Sequence, residues 1–251
     1  MLAYDTKRRT QWAGVHPIPP AEEEADTGSV TRITVFDLDR TLTRRGTWSP
    51  FLLHAALRSA PWRLVFVPLI LAAMIGHKLG FVQRRTLKQY MQRCLMGTFV
   101  DRRLAGGLAS AFAERLVRKN CYVEGIARIA TERASGRRVI LASAANRFYL
   151  DAVAARLGIS EVVGTESGWR GDFLEPRITG DNCYGTAKRD MLLAYLATQG
   201  IDPAQLDIRF YSDDCSDLPL FDIAKHPIAV NASRKLRRIA AERGWPSQTW
   251  H

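Results

Sequence analysis

Residues 31–43 read Thr-Arg-Ile-Thr-Val-Phe-Asp-Leu-Asp-Arg-Thr-Leu-Thr, and this stretch decides the fold. Ile33, Val35 and Phe36 form a short β-prone run that ends on Asp37, with a second carboxylate at Asp39. Open α/β sheets place their sites beyond the C-terminal ends of their strands, so a buried strand that stops on two acids fits that plan. Beyond Gly136, strands and helices alternate. Val139 to Ala142 reads as a buried strand, and 147–157 as a helix closed by Gly158. Val162–Val163 reads as a short strand, 169–178 as a hairpin around Gly171, and 188–198 as a helix. Ile208 to Tyr211 and Ile228 to Val230 follow as strands, the second leading into a basic helix over 234–243. This alternation predicts an α/β protein: a Rossmann-like, doubly wound parallel sheet with helices on both faces.

Between the first strand and the alternating region, residues 47–119 read as an inserted helical cap. Leu104, Leu108, Phe112 and Leu116 recur at four-residue spacing behind Asp101, a candidate N-cap. A further helix covers 123–135 and stops at Gly136. The expected catalytic core is then 30–46 together with 120–251. Residues 1–29 hold Pro17, Pro19, Pro20, Glu22, Glu23, Glu24 and Asp26 with no apolar periodicity. Such a segment cannot repay the entropy of ordering, so it is expected to be a disordered arm.

Composition narrows the class. Of 251 residues, 47% are apolar and 24% charged, which excludes a wholly disordered, collagenous or coiled-coil chain. The four cysteines show no C-x-x-C pair or zinc-finger spacing and read as free thiols of a reducing compartment. Met1 to Thr10 contains no apolar secretory core, so a cytoplasmic protein is expected. The net charge of +11 favours anionic partners.

Four polar clusters carry the chemistry: Asp37, Asp39 and Thr41; Ser143; Lys188; and Asp213, Asp214 and Asp217. Three of them follow expected strands. Carboxylates a few Å apart raise one another's pKa and cannot all ionise without a cation, and a hard oxygen-liganded ion such as Mg²⁺ meets that need. A serine hydroxyl and a fixed ammonium suit the oxygens of a phosphoryl group. One aspartate can then attack phosphorus and another protonate the leaving oxygen.

These motifs resemble the haloacid dehalogenase superfamily, in its phosphoserine-phosphatase-like branch. Val35–Thr43 is similar to the first motif, Leu141–Ser143 to the second, Lys188 to the third and Tyr211–Leu220 to the fourth. The resemblance implies a Mg²⁺-dependent phosphomonoester hydrolase. Asp37 would be the nucleophile, forming an aspartyl-phosphate, and Asp39 the general acid and then base. Asp37, the Asp39 carbonyl and Asp213 would hold the metal, with Asp214 and Asp217 supporting. Thr41, Ser143 and Lys188 would bind the substrate phosphate. Two positions depart from the family. Arg40 replaces a small residue, and Gly46 stands where phosphoserine phosphatases carry a glutamate that engages the substrate amine.

The insertion points toward a partner. Residues 44–119 contain 14 Lys and Arg against two acids, a net +12, while the rest of the chain sums to −1. The same block holds Leu64–Gly76, 13 residues without charge or histidine. That is about 20 Å of helix against a hydrocarbon core of about 30 Å, too short to span. A helix apolar all round must be enclosed by protein or lipid, and cations beside it suit an anionic membrane surface. Trp62, Arg63, Phe66, Leu69, Ile70, Arg84 and Arg85 are the cap residues expected to meet membrane or substrate. The cap and the run Thr41–Trp48 also resemble phosphatidylglycerophosphate phosphatases of the superfamily. The expected substrate is therefore a membrane phospholipid phosphate, of phosphatidylglycerophosphate or lysophosphatidate type, met at the inner face of the cytoplasmic membrane. The alternative is a small soluble phosphorylated metabolite. A cap that packs the apolar run as its own core, or pairs it across a dimer, fits the sequence equally well. No nucleic-acid signature accompanies the basic block, which argues against a nucleic-acid binder or a non-catalytic phosphate-binding protein.

Overall fold

The computed structural model describes residues 30–251, so the arm read over 1–29 lies outside the described residues. Strand β1 (Thr31–Phe36) leads through an irregular turn into helices α1 (Trp48–Ser59), α2 (Val67–Lys78) and α3 (Arg84–Leu95). Strand β2 (Val100–Asp101), α4 (Arg102–Asn120) and α5 (Val123–Ala134) follow. Then come β3 (Arg138–Asn146), α6 (Arg147–Arg156), the hairpin of β4 (Glu161–Arg170) and β5 (Phe173–Thr179), and α7 (Thr186–Ala197). The chain closes with β6 (Leu206–Ser212), the one-turn α8 (Leu218–Phe221), β7 (His226–Val230), α9 (Arg234–Glu242) and β8 (Ser247–Gln248).

The eight strands form one sheet in the order β2-β5-β4-β3-β1-β6-β7-β8. It is parallel from β4 to β8, and β5 and β2 add antiparallel at one edge. The chain leaves β1 toward β3 on one side and returns to β6 on the other. The reversal of winding therefore falls beside β1, where α/β sheets open a crevice. Phe36 is in register with Leu141 and with Tyr211, so the residues that follow these three strands emerge at nearly one level.

Side chains of β1 alternate between two apolar layers. Ile33 and Val35 pack with Leu192, Phe210 and Leu236 on the face covered by α7 and α9. Phe36 points to the other face and stacks on Tyr211, 4.7 Å between centroids. That layer runs without a break into the insertion: Phe51 of α1 stacks on Tyr149 of α6 and meets Phe112 of α4 edge-on.

Several sequence expectations change. Val162–Val163 and the hairpin 169–178 are not separate elements, because β4 runs continuously through Gly164. A Cβ there would come within 2.6 Å of Leu150, so this glycine marks the close approach of α6 rather than a break. Segment 47–119 is helical except for β2, which joins the sheet. Asp101 accepts from the amides of Arg103 and Leu104, the N-cap that the sequence predicts. The apolar run is not the interior of the cap. Within α2 only Ile70 is buried, whereas Trp62, Val65, Leu69, Leu71 and Ile75 are exposed. The helix rests on α3 along one side, and its apolar residues are distributed all round. Among the described residues, no helix is long and apolar enough to cross a membrane.

Beneath the sheet lies a buried polar knot. Glu132 of α5 accepts from Thr34 Oγ1, Arg209 Nη1 and Tyr211 OH, each at 2.9 Å, with the Arg137 guanidinium 3.8 Å away. Burial alone would raise its pKa, but the bonds from Tyr211, Arg209 and Thr34 outweigh it and hold the carboxyl below its ordinary 4.5. Its contribution to stability is therefore complete above pH 4.5 and lost as pH falls through the lowered value. Glu132→Ala leaves Arg209 without its carboxylate and the Tyr211 hydroxyl without its acceptor, and should cost about 3–5 kcal/mol in denaturant unfolding. Glu132→Gln should flatten the loss of stability in acid. Unfolding midpoints equal to wild type in both variants would contradict this account.

Candidate active site

Asp37 follows β1, and its amide donates to the Tyr211 carbonyl at 3.0 Å, which ties the turn to β6. Leu38 and Leu42, both buried, anchor that turn, while Arg40 between them takes a left-handed φ of 63°. Asp39 Oδ1 accepts from the Thr47 amide at 2.8 Å, at the start of α1, and Thr47 Oγ1 lies 3.0 Å from Tyr149 OH. Burial raises the Asp39 pKa, and the bonds from Thr47 moderate it. A carboxyl raised in this way suits a proton donor.

Lys188 on α7 is the centre of the arrangement. Its Nζ donates to Asp37 Oδ1 at 2.8 Å and to Asp217 Oδ2 at 2.7 Å, with all three side chains buried. Burial works against the charge, but Asp217 and Asp37 outweigh it, so the ammonium stays protonated. Asp217 Oδ2 also accepts from Ser212 Oγ at 2.6 Å. Gly185, with a φ of 61°, lets the chain turn into α7 against the Ser216 carbonyl, a geometry that L side chains rarely adopt.

A cavity of about 320 Å³ opens above this group. Asp37, Asp39, Ser143, Lys188, Asp213 and Asp217 line it, joined by Asp214. Ser143 lies in β3 where its register with β4 shifts; its Oγ accepts from the Ala145 amide at 3.2 Å, which leaves its own proton to donate. Asp214 turns Oδ1 back to the Ser216 amide at 2.9 Å. Thr41 is placed differently from the expectation. It is fully buried, does not line the cavity, and donates to Asp37 Oδ2 at 3.2 Å and Asp213 Oδ1 at 3.5 Å. Its hydroxyl orients carboxylates rather than meeting phosphate.

Of the expected cap residues, Arg84 alone lines the cavity. Arg85 donates to the carbonyls of Gly180 and Ile178, and Arg63 to those of Cys94 and Arg93, so both tie backbone together instead. Phe66 is half-buried and Ile70 is interior; Trp62 and Leu69 are exposed away from the site. Two participants carried no sequence pattern. Tyr184 lines the mouth with the Arg84 guanidinium 4.0 Å above its ring. Lys88 of α3 is buried against the core, donating to Ala144 O at 2.7 Å and Asn182 Oδ1 at 2.9 Å. Burial brings its pKa down to about 7.

The acids fit a divalent cation. Burial first, then Asp37, Asp214 and Asp217, push Asp213 up to about 8, and burial raises Asp37 as well, against the pull of Lys188. Asp217 Oδ1 is buried without a hydrogen-bond partner among the described residues. Among the described residues, no three acidic, histidine or cysteine side chains form a complete metal-ligand set by themselves. Two carboxylates and a backbone carbonyl are a smaller set, and Mg²⁺ commonly fills such a set out with water.

Residues 34–222 match the family described as haloacid dehalogenase-like hydrolase. The chain is 27% identical over 231 residues to the inhibition of morphological differentiation protein of Streptomyces azureus, covering 86% of this chain and 77% of that one. It is 34% identical over 116 residues to phosphoserine phosphatase of Albidiferax ferrireducens, covering 45% of this chain and 48% of the relative. In fold it resembles a Bordetella pertussis protein of unknown function, with a TM-score of 0.78 at 24% identity, over 88% of this chain and 99% of the other.

Mg²⁺ should stabilise the folded protein by about 2.7 kcal/mol at a hundred times its dissociation constant, read as a higher unfolding midpoint. Asp213→Asn should lose that shift. Absence of the shift in wild type, or its persistence in the variant, would count against the assigned ligands.

Proposed function

The chain belongs to the haloacid dehalogenase-like hydrolase family and is a phosphomonoester hydrolase; from that premise, we propose that its substrate is a small phosphorylated metabolite, hydrolysed through an aspartyl-phosphate on Asp37. The observation that carries this reading is the convergence on one cavity of Asp37, Ser143, Lys188 and Asp213 from four separate elements. The cavity volume, about 320 Å³, lies at the small-molecule end of ligand sites. The matched phosphatase acts, by its name, on phosphoserine. These observations favour the small ester over the lipid phosphate that the cap's composition suggested.

Lys188 and the Ser143 hydroxyl receive the phosphoryl oxygens. A carboxylate oxygen of Asp37 attacks phosphorus as the bond to the leaving oxygen breaks, and Asp39 gives that oxygen its proton, releasing the alcohol. Asp39, now ionised, removes a proton from water as the water oxygen attacks the aspartyl-phosphate. The phosphorus–Asp37 bond breaks, phosphate leaves, and both acids return to their starting states. Asp37, the Asp39 carbonyl and Asp213 would hold Mg²⁺, which offsets the negative charge of acids and phosphate together.

Phosphate release from small esters should vanish in Asp37→Asn and fall about 10²–10⁴-fold in Asp39→Asn, the usual span of a general acid. EDTA should silence the wild type and Mg²⁺ restore it. Turnover that survives Asp37→Asn would refute the nucleophile.

A second reading concerns the cap surface. Trp62, Val65, Leu69, Leu71, Ile75 and Phe81 are exposed, and residues 44–100 contain no acid. We infer that this face rests on an anionic bilayer. Each nearby Lys or Arg favours such a surface by about 1 kcal/mol, whereas two copies of a cation-rimmed face repel. Native protein should co-sediment with phosphatidylglycerol vesicles and not with phosphatidylcholine vesicles, and substituting serine for Trp62, Leu69 and Ile75 should release it. No binding by native protein, or concentration-dependent self-association abolished by the same substitutions, would overturn this reading.

A further inference from the structure

We propose that the ester this site hydrolyses bears a second acidic group and no ammonium on its leaving group, and that Arg40 and Arg84 hold that acid at the cavity mouth. The inference rests on the phosphatase reading and narrows its substrate.

The cavity is divided by charge. On its floor, every acid already has a partner or a place in the metal set. Asp37 and Asp217 face Lys188, Asp39 faces the Thr47 amide, Asp214 faces the Ser216 amide, and Asp213 meets Thr41. At the mouth stand Arg40 and Arg84, both exposed and lining the cavity, and neither guanidinium has a carboxylate partner among the described residues. The Arg84 guanidinium carbon lies 4.0 Å from the centre of the Tyr184 ring, a contact that holds the group at the mouth without using its N–H donors. It lines the same cavity as Asp39, which protonates the leaving oxygen.

Whereas Arg84 comes from α3, Arg40 lines the same cavity from the turn that follows β1. It is adjacent to Asp39 in the chain, and its left-handed backbone is fixed by a bond from its amide to Thr43 Oγ1 at 3.2 Å. A glycine or asparagine would take that φ more readily. The fold instead holds a long cation over the opening. Two guanidinium groups with open N–H edges match a carboxylate or a second phosphate.

The wall beside the proton donor is not built for an amine. Gly46 lines the cavity, and a Cβ there would lie 3.9 Å from Asp39 Oδ2, so this position brings no side chain that could accept from an ammonium. An ammonium would meet two arginines there.

The test compares kcat/KM for phosphoglycolate (a carboxylate), propanediol bisphosphate (a second phosphate), propyl phosphate (neutral) and phosphoethanolamine (an ammonium). The two acidic esters should exceed propyl phosphate by about tenfold or more, the worth of one charge-assisted bond, and phosphoethanolamine should be poorest. Arg40→Gln and Arg84→Gln should each collapse the acidic-to-neutral ratio, chiefly through KM. Arg32→Gln, an equal charge change near the N-terminal end of β1 and thus away from the strand ends that form the site, should leave the ratio intact. Equal rates on acidic and neutral esters, or a ratio lowered as much by Arg32→Gln, would overturn the clamp. If no ester turns over, the phosphatase reading fails. Calorimetry then decides the clamp alone: phosphonoacetate should bind more tightly than ethylphosphonate, and equal affinities would overturn it.

Discussion

A single buried cation organises this protein. Lys188 Nζ sits between Asp37 and Asp217 at 2.8 and 2.7 Å, and all three side chains are almost wholly buried at the cavity floor. Taking an ammonium out of water is costly, and only close, charge-assisted bonds to two carboxylates offset the cost. Those bonds in turn fix α7 against the ends of β1 and β6. Ser212 steadies Asp217, Thr41 steadies Asp37, and the Asp37 amide reaches across to Tyr211. The positive charge is thus in place before any phosphate arrives, and preorganised charge of this kind does not have to reorganise during reaction.

The sheet provides that precision. β3, β1 and β6 run parallel in a register that brings Asp37, Ser143 and Asp213 to one edge. Parallel strands must be covered on both faces, and the two apolar layers meet that requirement. The layer beneath α1, α4 and α6 is shared with the insertion, so the helices over the site are fastened by the same aromatic stack that supports the sheet. Lys88 adds a polar tie from α3 to Ala144, the residue after Ser143.

The strands and acids were legible in the sequence because their signals are local. Val139 to Ala142 and Ile208 to Tyr211 are apolar runs ending in polar residues, and Asp101 stands directly before its helix. What escaped depends on distant packing. Gly164 looks like a break in a strand until Leu150 is placed against it. Thr41 looks like a phosphate ligand until the carboxylates on either side are seen. Arg63 and Arg85 look like free cations, yet both are engaged with backbone carbonyls. Tyr184 has meaning only beside Arg84. The sequence shows that the apolar run lacks a polar face, but whether it faces inward or outward is a tertiary property, and it faces outward.

The charge division follows the same architecture. The neutral body concentrates acids where a cation and a phosphoryl group meet, and the basic insertion supplies Arg84 at the rim beside Arg40 of the body. The most direct test of this account is to quench the protein in acid during turnover of a small phosphomonoester with Mg²⁺ and map the peptides by mass. One phosphoryl group, labile to base and located on Asp37, is the predicted result. Sustained turnover with no modified Asp37, or with the phosphoryl group on another residue, would contradict it.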